Sequence, residues 1–202
     1  RVLEVGCGSA VDSLGLEENV RGEMWAADLN AEAIRLAERI RSQFPYSHLR
    51  LVRMDIHRMG LSGGSFDLIF SQGVLEHFRD PVALLKEQRR LLREGGYIVV
   101  SVPQRFHPYA LYKRFHLWRG RWPYGWESDF SPGRLSECAA KAGLRVCEMA
   151  GDGFAGEFEH SHRWWLRGVM EVYGFLVRGL VIFHPTWASY LAQDVVMVCE
   201  WN

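Results

Sequence analysis

An excess of charge of either sign is missing: Lys+Arg and Asp+Glu stand at 24 each in a chain of 202 residues. A balanced chain lacks the basic surplus that marks bulk nucleic-acid binding. Cysteine is sparse. Cys7, Cys138, Cys147 and Cys199 lie far apart and form no Cys-x-x-Cys pair. That pattern excludes a disulfide frame and a zinc site, and reads as reduced thiols in a cytoplasmic protein. The chain opens without Met and without a signal-peptide pattern, inside an apolar strand, so natural sequence is expected before Arg1. One apolar stretch, Trp164 to Phe183, is long enough for a bilayer, but Arg167, Glu171 and Arg178 interrupt it and argue against a span. Internal repeats and low-complexity tracts are absent. The length suits one domain with a full core, or one domain with insertions.

What is present is an alternation of strands and helices. Val2, Leu3 and Val5 form a strand that runs into Gly6-Cys7-Gly8, with a helix expected from Val11 to Glu18. Glu23 to Asp28 reads as a second strand. Asn30 caps a helix whose buried face carries Ala33, Ile34, Ala37 and Ile40, and Phe44-Pro45 ends it. Leu49 to Asp55 and Phe66 to Ser71 are the third and fourth strands, the latter after a Ser62-Gly-Gly-Ser65 turn. Asp80 and Pro81 start another helix, with Leu84, Leu85, Leu91 and Leu92 as its buried stripe and Gly95-Gly96 as its stop. Tyr97 to Val102 is the fifth strand. Residues 103–130 are expected to be loop-rich and are dense in aromatics; between Gln104 and Arg121 they hold five Lys/Arg and no acid. A helix (Pro132 to Ala142), a strand (Leu144 to Met149), a flexible connector (Gly151 to Gly156), a helix (163–183) and a last strand (Tyr190 to Trp201) complete the chain. This spacing predicts a largely parallel α/β sheet covered on both faces.

Gly6 and Gly8 let backbone approach a ligand with no Cβ between them, and the helix behind offers unpaired N–H groups. In a doubly wound sheet this is where a nucleotide-like ligand sits. The acid Asp28 stands 20 residues past Gly8, at the end of the next strand, and Asp55 closes the third. The run Gly6-Cys-Gly8-Ser-Ala10-Val11 lacks the third glycine of the nicotinamide fingerprint.

Taken together, Glu4-x-Gly6-x-Gly8, Asp28, Asp55-Ile56, Phe66-Asp67 leading to Ser71, Leu75-Glu76-His77 and Leu92-Arg-Glu-Gly-Gly96 resemble the successive motifs of class I S-adenosylmethionine-dependent methyltransferases. The small-molecule branch that includes ubiquinone- and menaquinone-pathway enzymes is the most similar. The resemblance covers residues 1–102 and implies a Rossmann-like, seven-stranded, mostly parallel sheet with the last strand antiparallel. It implies S-adenosylmethionine as cofactor, with contacts at Glu4, Gly6, Cys7, Gly8, Asp28, Leu29, Asp55, Ile56 and Ser71. A carboxylate at position 28 can take both ribose hydroxyls; Asp55 and Ile56 flank the adenine, Glu4 faces the ammonium end, and Ser71 meets the methionine end with its backbone. Each has a plainer reading beside it: Asp28 as a helix cap, Asp55 as a solvated acid, Glu4 as a residue tying strand to helix.

His77 follows the fourth strand, where this fold places its acceptor, and is the candidate catalytic base; a positioning or capping histidine is the alternative. Some quinone-pathway relatives carry Glu-Val-Leu-Glu-His, whose acids and histidine bind a divalent metal. Here the run begins with Gly73 instead, so no metal is expected. His160-x-His162 lacks a third ligand and reads as exposed loop histidines. The insertions 103–130 and 151–190 are expected to form a lid over a small, hydrophobic or aromatic acceptor, with a dimer or membrane-surface contact through 163–183 as the other role. A single domain spans 1–202. The rival readings are a nicotinamide-dependent oxidoreductase, a cofactor-binding sensor without transfer, and nucleic-acid methylation through the basic aromatic run; no nucleic-acid partner is expected, since Ser71-Gln-Gly-Val replaces an Asn/Asp-Pro-Pro-Tyr motif.

Overall fold

The computed structural model describes residues 1–123, 125–153, 164–183 and 185–201. The first half alternates as its periodicity predicts: β1 (Val2–Val5), α1 (Val11–Glu17), β2 (Met24–Asp28), α2 (Ala31–Arg41), β3 (Arg50–Arg53), β4 (Phe66–Gln72), α3 (Pro81–Leu91) and β5 (Leu92–Pro103). There follow α4 (Pro108–Trp118), α5 (Pro132–Lys141), β6 (Arg145–Asp152), α6 (Trp164–Phe183), α7 (Ala188–Leu191) and β7 (Asp194–Glu200). The seven strands form one sheet in the order β3-β2-β1-β4-β5-β7-β6. Pairing is parallel except at β7, which runs antiparallel to both β5 and β6. This is the expected Rossmann-like α/β sheet.

Every residue of β1 is buried, and its alternating side chains feed two cores. Leu3 and Val5 join Ile69, Ile98 and Val100 beneath Leu84 and Leu85 of α3 and Leu135 of α5. Val2 joins Met24 and Ala26 beneath Leu14 of α1 and Ile34 and Ala37 of α2. The caps behave as their chemistry requires. The side chains of Asn30, Asp80 and Ser131 accept from the backbone N–H groups of Glu32, Ala83 and Arg134.

Several boundaries differ from the sequence reading. Gly95-Gly96 does not stop α3, which ends at Leu91; the pair lies inside β5, where the register to β4 shifts between Phe66 and Leu68. Gly96 has no room for a side chain: a Cβ there would stand 2.8 Å from the Asp67 carbonyl oxygen. The 103–130 stretch is not all loop, because His107 caps α4 by accepting from the Tyr109 N–H and Pro108 opens the helix. The expected connector begins later than Gly151, since Gly151 and Asp152 still pair with β7. Residues 154–163, including His160 and His162, lie outside the described residues. The last strand starts at Asp194, with Tyr190 in the short α7.

Candidate functional site

The turn after β1 is held open by its own backbone. The amides of Gly6 and Cys7 both donate to the Ala27 carbonyl, at 2.8 and 3.0 Å, fastening the turn to β2. Gly6, Gly8 and the non-glycine Ala10 all adopt positive φ, at 73°, 51° and 56°. The two glycines answer to different needs. A Cβ on Gly6 would stand 2.4 Å from Val74 Cγ2, whereas one on Gly8 would meet no described residue within 4 Å. Gly6 is therefore required by packing against the segment after β4, and Gly8 faces space that no described residue fills.

Asp28 ends β2 beside that space, half-exposed. Its carboxylate accepts from the Gly8 N–H at 2.9 Å and from the Asn30 N–H at 2.8 Å. Each oxygen keeps a further lone pair. Asp28 thus braces the glycine turn, while the cap of α2 falls to Asn30. Leu29, next in the chain, is largely exposed for its size. Asp55 is exposed and accepts from the His57 N–H at 2.9 Å, closing a local turn. Ile56 is 7% exposed and packs mainly into the core.

Glu4 is buried, and its carboxyl takes the Ser13 hydroxyl of α1. Burial is the main force on its acidity, pushing its pKa up to about 7; the Ser13 hydrogen bond opposes this, and Asp12 and Asp28 add to it. Burial likewise pushes the Cys7 thiol up to about 12, with Glu4 and Asp28 adding to the shift, which leaves this sulfur unreactive at neutral pH. Ser71, at the end of β4, is buried, and its hydroxyl oxygen has no hydrogen-bond partner among the described residues.

A cleft of about 250 Å³ opens past the end of β4. One wall is the segment after the strand, with Gln72, Gly73, Glu76 and His77. The other walls come from Pro103 at the end of β5, Tyr109 of α4, Glu127, and Gln193 with Asp194 at the start of β7. His77 is exposed, on a single 3-10 turn of Leu75–His77. Residue 74, between the cleft-lining Gly73 and Glu76, is the valine that packs onto Gly6, so the cleft and the glycine turn share one short segment.

The sequence reading left Glu76 without a role; Tyr109, Lys113 and Glu127 lie in the 103–130 insertion it assigned to the acceptor without being singled out there, and Gln193 lies outside both insertions. Glu76 is 2% exposed, and its Oε2 has no hydrogen-bond partner among the described residues. Burial raises its pKa to about 7; Glu127 and Asp194 add to the rise and Lys113 opposes it. Lys113 is buried on α4, with Nζ 3.2 Å from Glu127 and 3.0 Å from Asp129. The Ser128 N–H donates to the Glu76 carbonyl at 2.8 Å, tying this acidic loop to the cleft wall. Glu76 lay inside a motif the sequence already displayed. Glu127 and Gln193 carry no local signal, because only tertiary packing brings them to the cleft.

The two insertions meet at an aromatic cluster. The rings of His107 and Tyr173 of α6 lie 5.1 Å apart, and the Tyr173 hydroxyl donates to the Leu191 carbonyl at 2.7 Å. Val172, Phe175 and Ile182 of α6 point away from this contact and are exposed. Among the described residues no helix is long and apolar enough to cross a membrane, and no three His, Cys, Asp or Glu side chains gather as a metal site.

Residues 3–100 match the family model described as "Methyltransferase domain". A ubiquinone biosynthesis O-methyltransferase of Parvibaculum lavamentivorans is 26% identical over 161 residues, covering 75% of this chain and 61% of that protein. The chain thus spans about three fifths of that relative's length. Among solved structures, a SAM-dependent methyltransferase of Thermotoga maritima superposes over the whole chain with a TM-score of 0.70 at 16% identity, covering 82% of that protein. A geranyl diphosphate C-methyltransferase of Streptomyces coelicolor, solved with Mg2+, geranyl diphosphate and S-adenosyl-L-homocysteine, does so with a TM-score of 0.68 at 13% identity, covering 70% of that protein.

Proposed function

This chain belongs to the class I S-adenosylmethionine-dependent methyltransferases, and from that premise we propose that it moves a methyl group from S-adenosylmethionine to a small acceptor with an apolar or aromatic body, seated in the cleft after β4. The observation that carries this reading is the shared segment 72–77. It lines the cleft with Glu76 and His77 and packs Val74 onto the glycine turn. Donor and acceptor would then be held on either side of one rigid element.

The residues present suit the cofactor. Gly8 faces free space where a side chain would intrude, and Asp28 stands beside it with lone pairs left for the ribose diol. Glu4, Gly6, Cys7 and Ser71 would border the methionine end, with the buried Ser71 hydroxyl lacking a partner among the described residues. Leu29 and Asp55 would border the adenine, with Ile56 offering only its small exposed edge. When bound, the cofactor supplies a methyl group already activated on a sulfonium.

What remains for the chain is orientation and proton handling. Holding the acceptor in line supplies much of the acceleration of a displacement. The walls of the cleft, Tyr109 and Pro103 among them, fix the acceptor's body. His77, exposed at the cleft, takes the proton when the acceptor must lose one, at an imidazole nitrogen. Transfer of labelled methyl from S-adenosylmethionine to a panel of phenols, quinols and amines tests the reading. Turnover on at least one acceptor is expected, with His77→Ala lowering kcat by on the order of 10²- to 10⁴-fold and leaving S-adenosylhomocysteine affinity unchanged. Absence of turnover across the panel, or a variant as fast as wild type, would count against it.

A further inference from the structure

The cleft holds an orphan. Glu76 is buried, is among the residues that line the cleft, and carries an oxygen, Oε2, that no described residue satisfies. A buried acceptor left without a donor is costly and calls for an explanation. Its surroundings say what kind of donor would complete it. The other carboxylates at the cleft are Glu127 and Asp194. Behind them stands Lys113, whose ammonium lies between Glu127 and Asp129; Arg114 sits 2.9 Å from the other oxygen of Asp129. The nearby cations thus face Glu127 and Asp129, and the hydrogen-bond capacity of Glu76 is left for something that enters the cleft.

We propose that Glu76 reads a protonated amine on the acceptor, so that the acceptor class is an amine with an apolar or aromatic body and not a carboxylate or phosphate. This rests on the proposed methyl transfer at the same cleft. An ammonium would give Oε2 its missing donor through a charge-assisted bond, and the neighbouring carboxylates would favour its charge and repel an anion. The amine is the anchoring group; whether it also receives the methyl group is a separate matter.

Three compounds that share one body and differ at the end test this: tyramine, the corresponding alcohol 4-(2-hydroxyethyl)phenol, and 4-hydroxyphenylacetate. Each is titrated by NMR into the protein loaded with S-adenosylhomocysteine, alongside the Glu76→Gln variant. Tyramine should bind at least about ten-fold more tightly than either analogue, a step of 1.4 kcal/mol. Glu76→Gln should erase that preference while S-adenosylhomocysteine still binds. Equal or tighter binding of the carboxylate, a tyramine affinity unmoved by Glu76→Gln, or no tyramine binding at millimolar concentration would overturn the proposal. If Glu76→Gln does not fold, the three-compound comparison on the wild-type protein still decides. Loss of S-adenosylhomocysteine binding by the wild-type protein would instead strike at the methyl-transfer reading itself.

Discussion

Two carboxyl groups, Glu4 and Glu76, are buried. Glu4 and Glu76 are both pushed by burial up to about 7, above the ordinary carboxylate value. The folded state therefore holds these protons more tightly than the unfolded chain does. Their stabilising effect is complete below the unfolded value near 4.5 and is lost as pH rises toward 7, a fall of about 3 kcal/mol for each group. Urea denaturation of the cofactor-free protein should show lower stability at pH 8 than at pH 5, and Glu76→Gln should flatten that slope. A slope of the opposite sign would contradict the burial of both groups. Gly6 gives a second test at this scale. Its positive φ and the 2.4 Å approach of a Cβ to Val74 predict that Gly6→Ala costs about 1–3 kcal/mol, whereas Gly8, with nothing within 4 Å, is set by backbone conformation alone. Thermal melts of the two alanine variants would compare them.

At the scale of elements, the caps and the apolar stripes were legible because the signals are local. Asn30 and Asp80-Pro81 each mark a helix start, and the structure uses both caps; Ser131, which caps α5, was not singled out. The glycine pair Gly95-Gly96 misled because a helix stop and a strand irregularity call for the same residue; only the pairing of β4 with β5 tells them apart. The helix α4 was hidden because its start is a histidine cap, an uncommon choice, and its aromatics fall on buried and exposed sides alike. Gly151 is the contact that seats α7 on β6. A Cβ there would come within 2.1 Å of the Ala188 carbonyl oxygen, so Gly151→Ala should force the two apart. The expected loss is about 1–3 kcal/mol or more, with an unchanged denaturant slope; wild-type stability in this variant would show that α7 does not dock there.

For the molecule as a whole, the order β3-β2-β1-β4-β5-β7-β6 places β1 and β4 side by side at the middle of the sheet. That is the point where open α/β sheets receive their ligands, beyond the carboxyl ends of the strands. The residues of the first half that mark this point were visible in the sequence, since each follows its strand directly. The far wall of the cleft was legible only as a region: Tyr109 and Glu127 lie in the 103–130 insertion expected over the acceptor, but which of its side chains reach the cleft, and that Gln193 joins them, is decided by tertiary packing. The central claim is that the glycine turn and Asp28 hold S-adenosylmethionine. Calorimetric titration of the purified protein with S-adenosylhomocysteine tests it most directly, beside an Asp28→Ala variant whose melting curve confirms its fold. The prediction is saturable one-to-one binding that Asp28→Ala weakens by about 10- to 100-fold, the loss of one or two hydrogen bonds to a charged group. Absence of binding by the wild-type protein, or equal affinity in the variant, would contradict it.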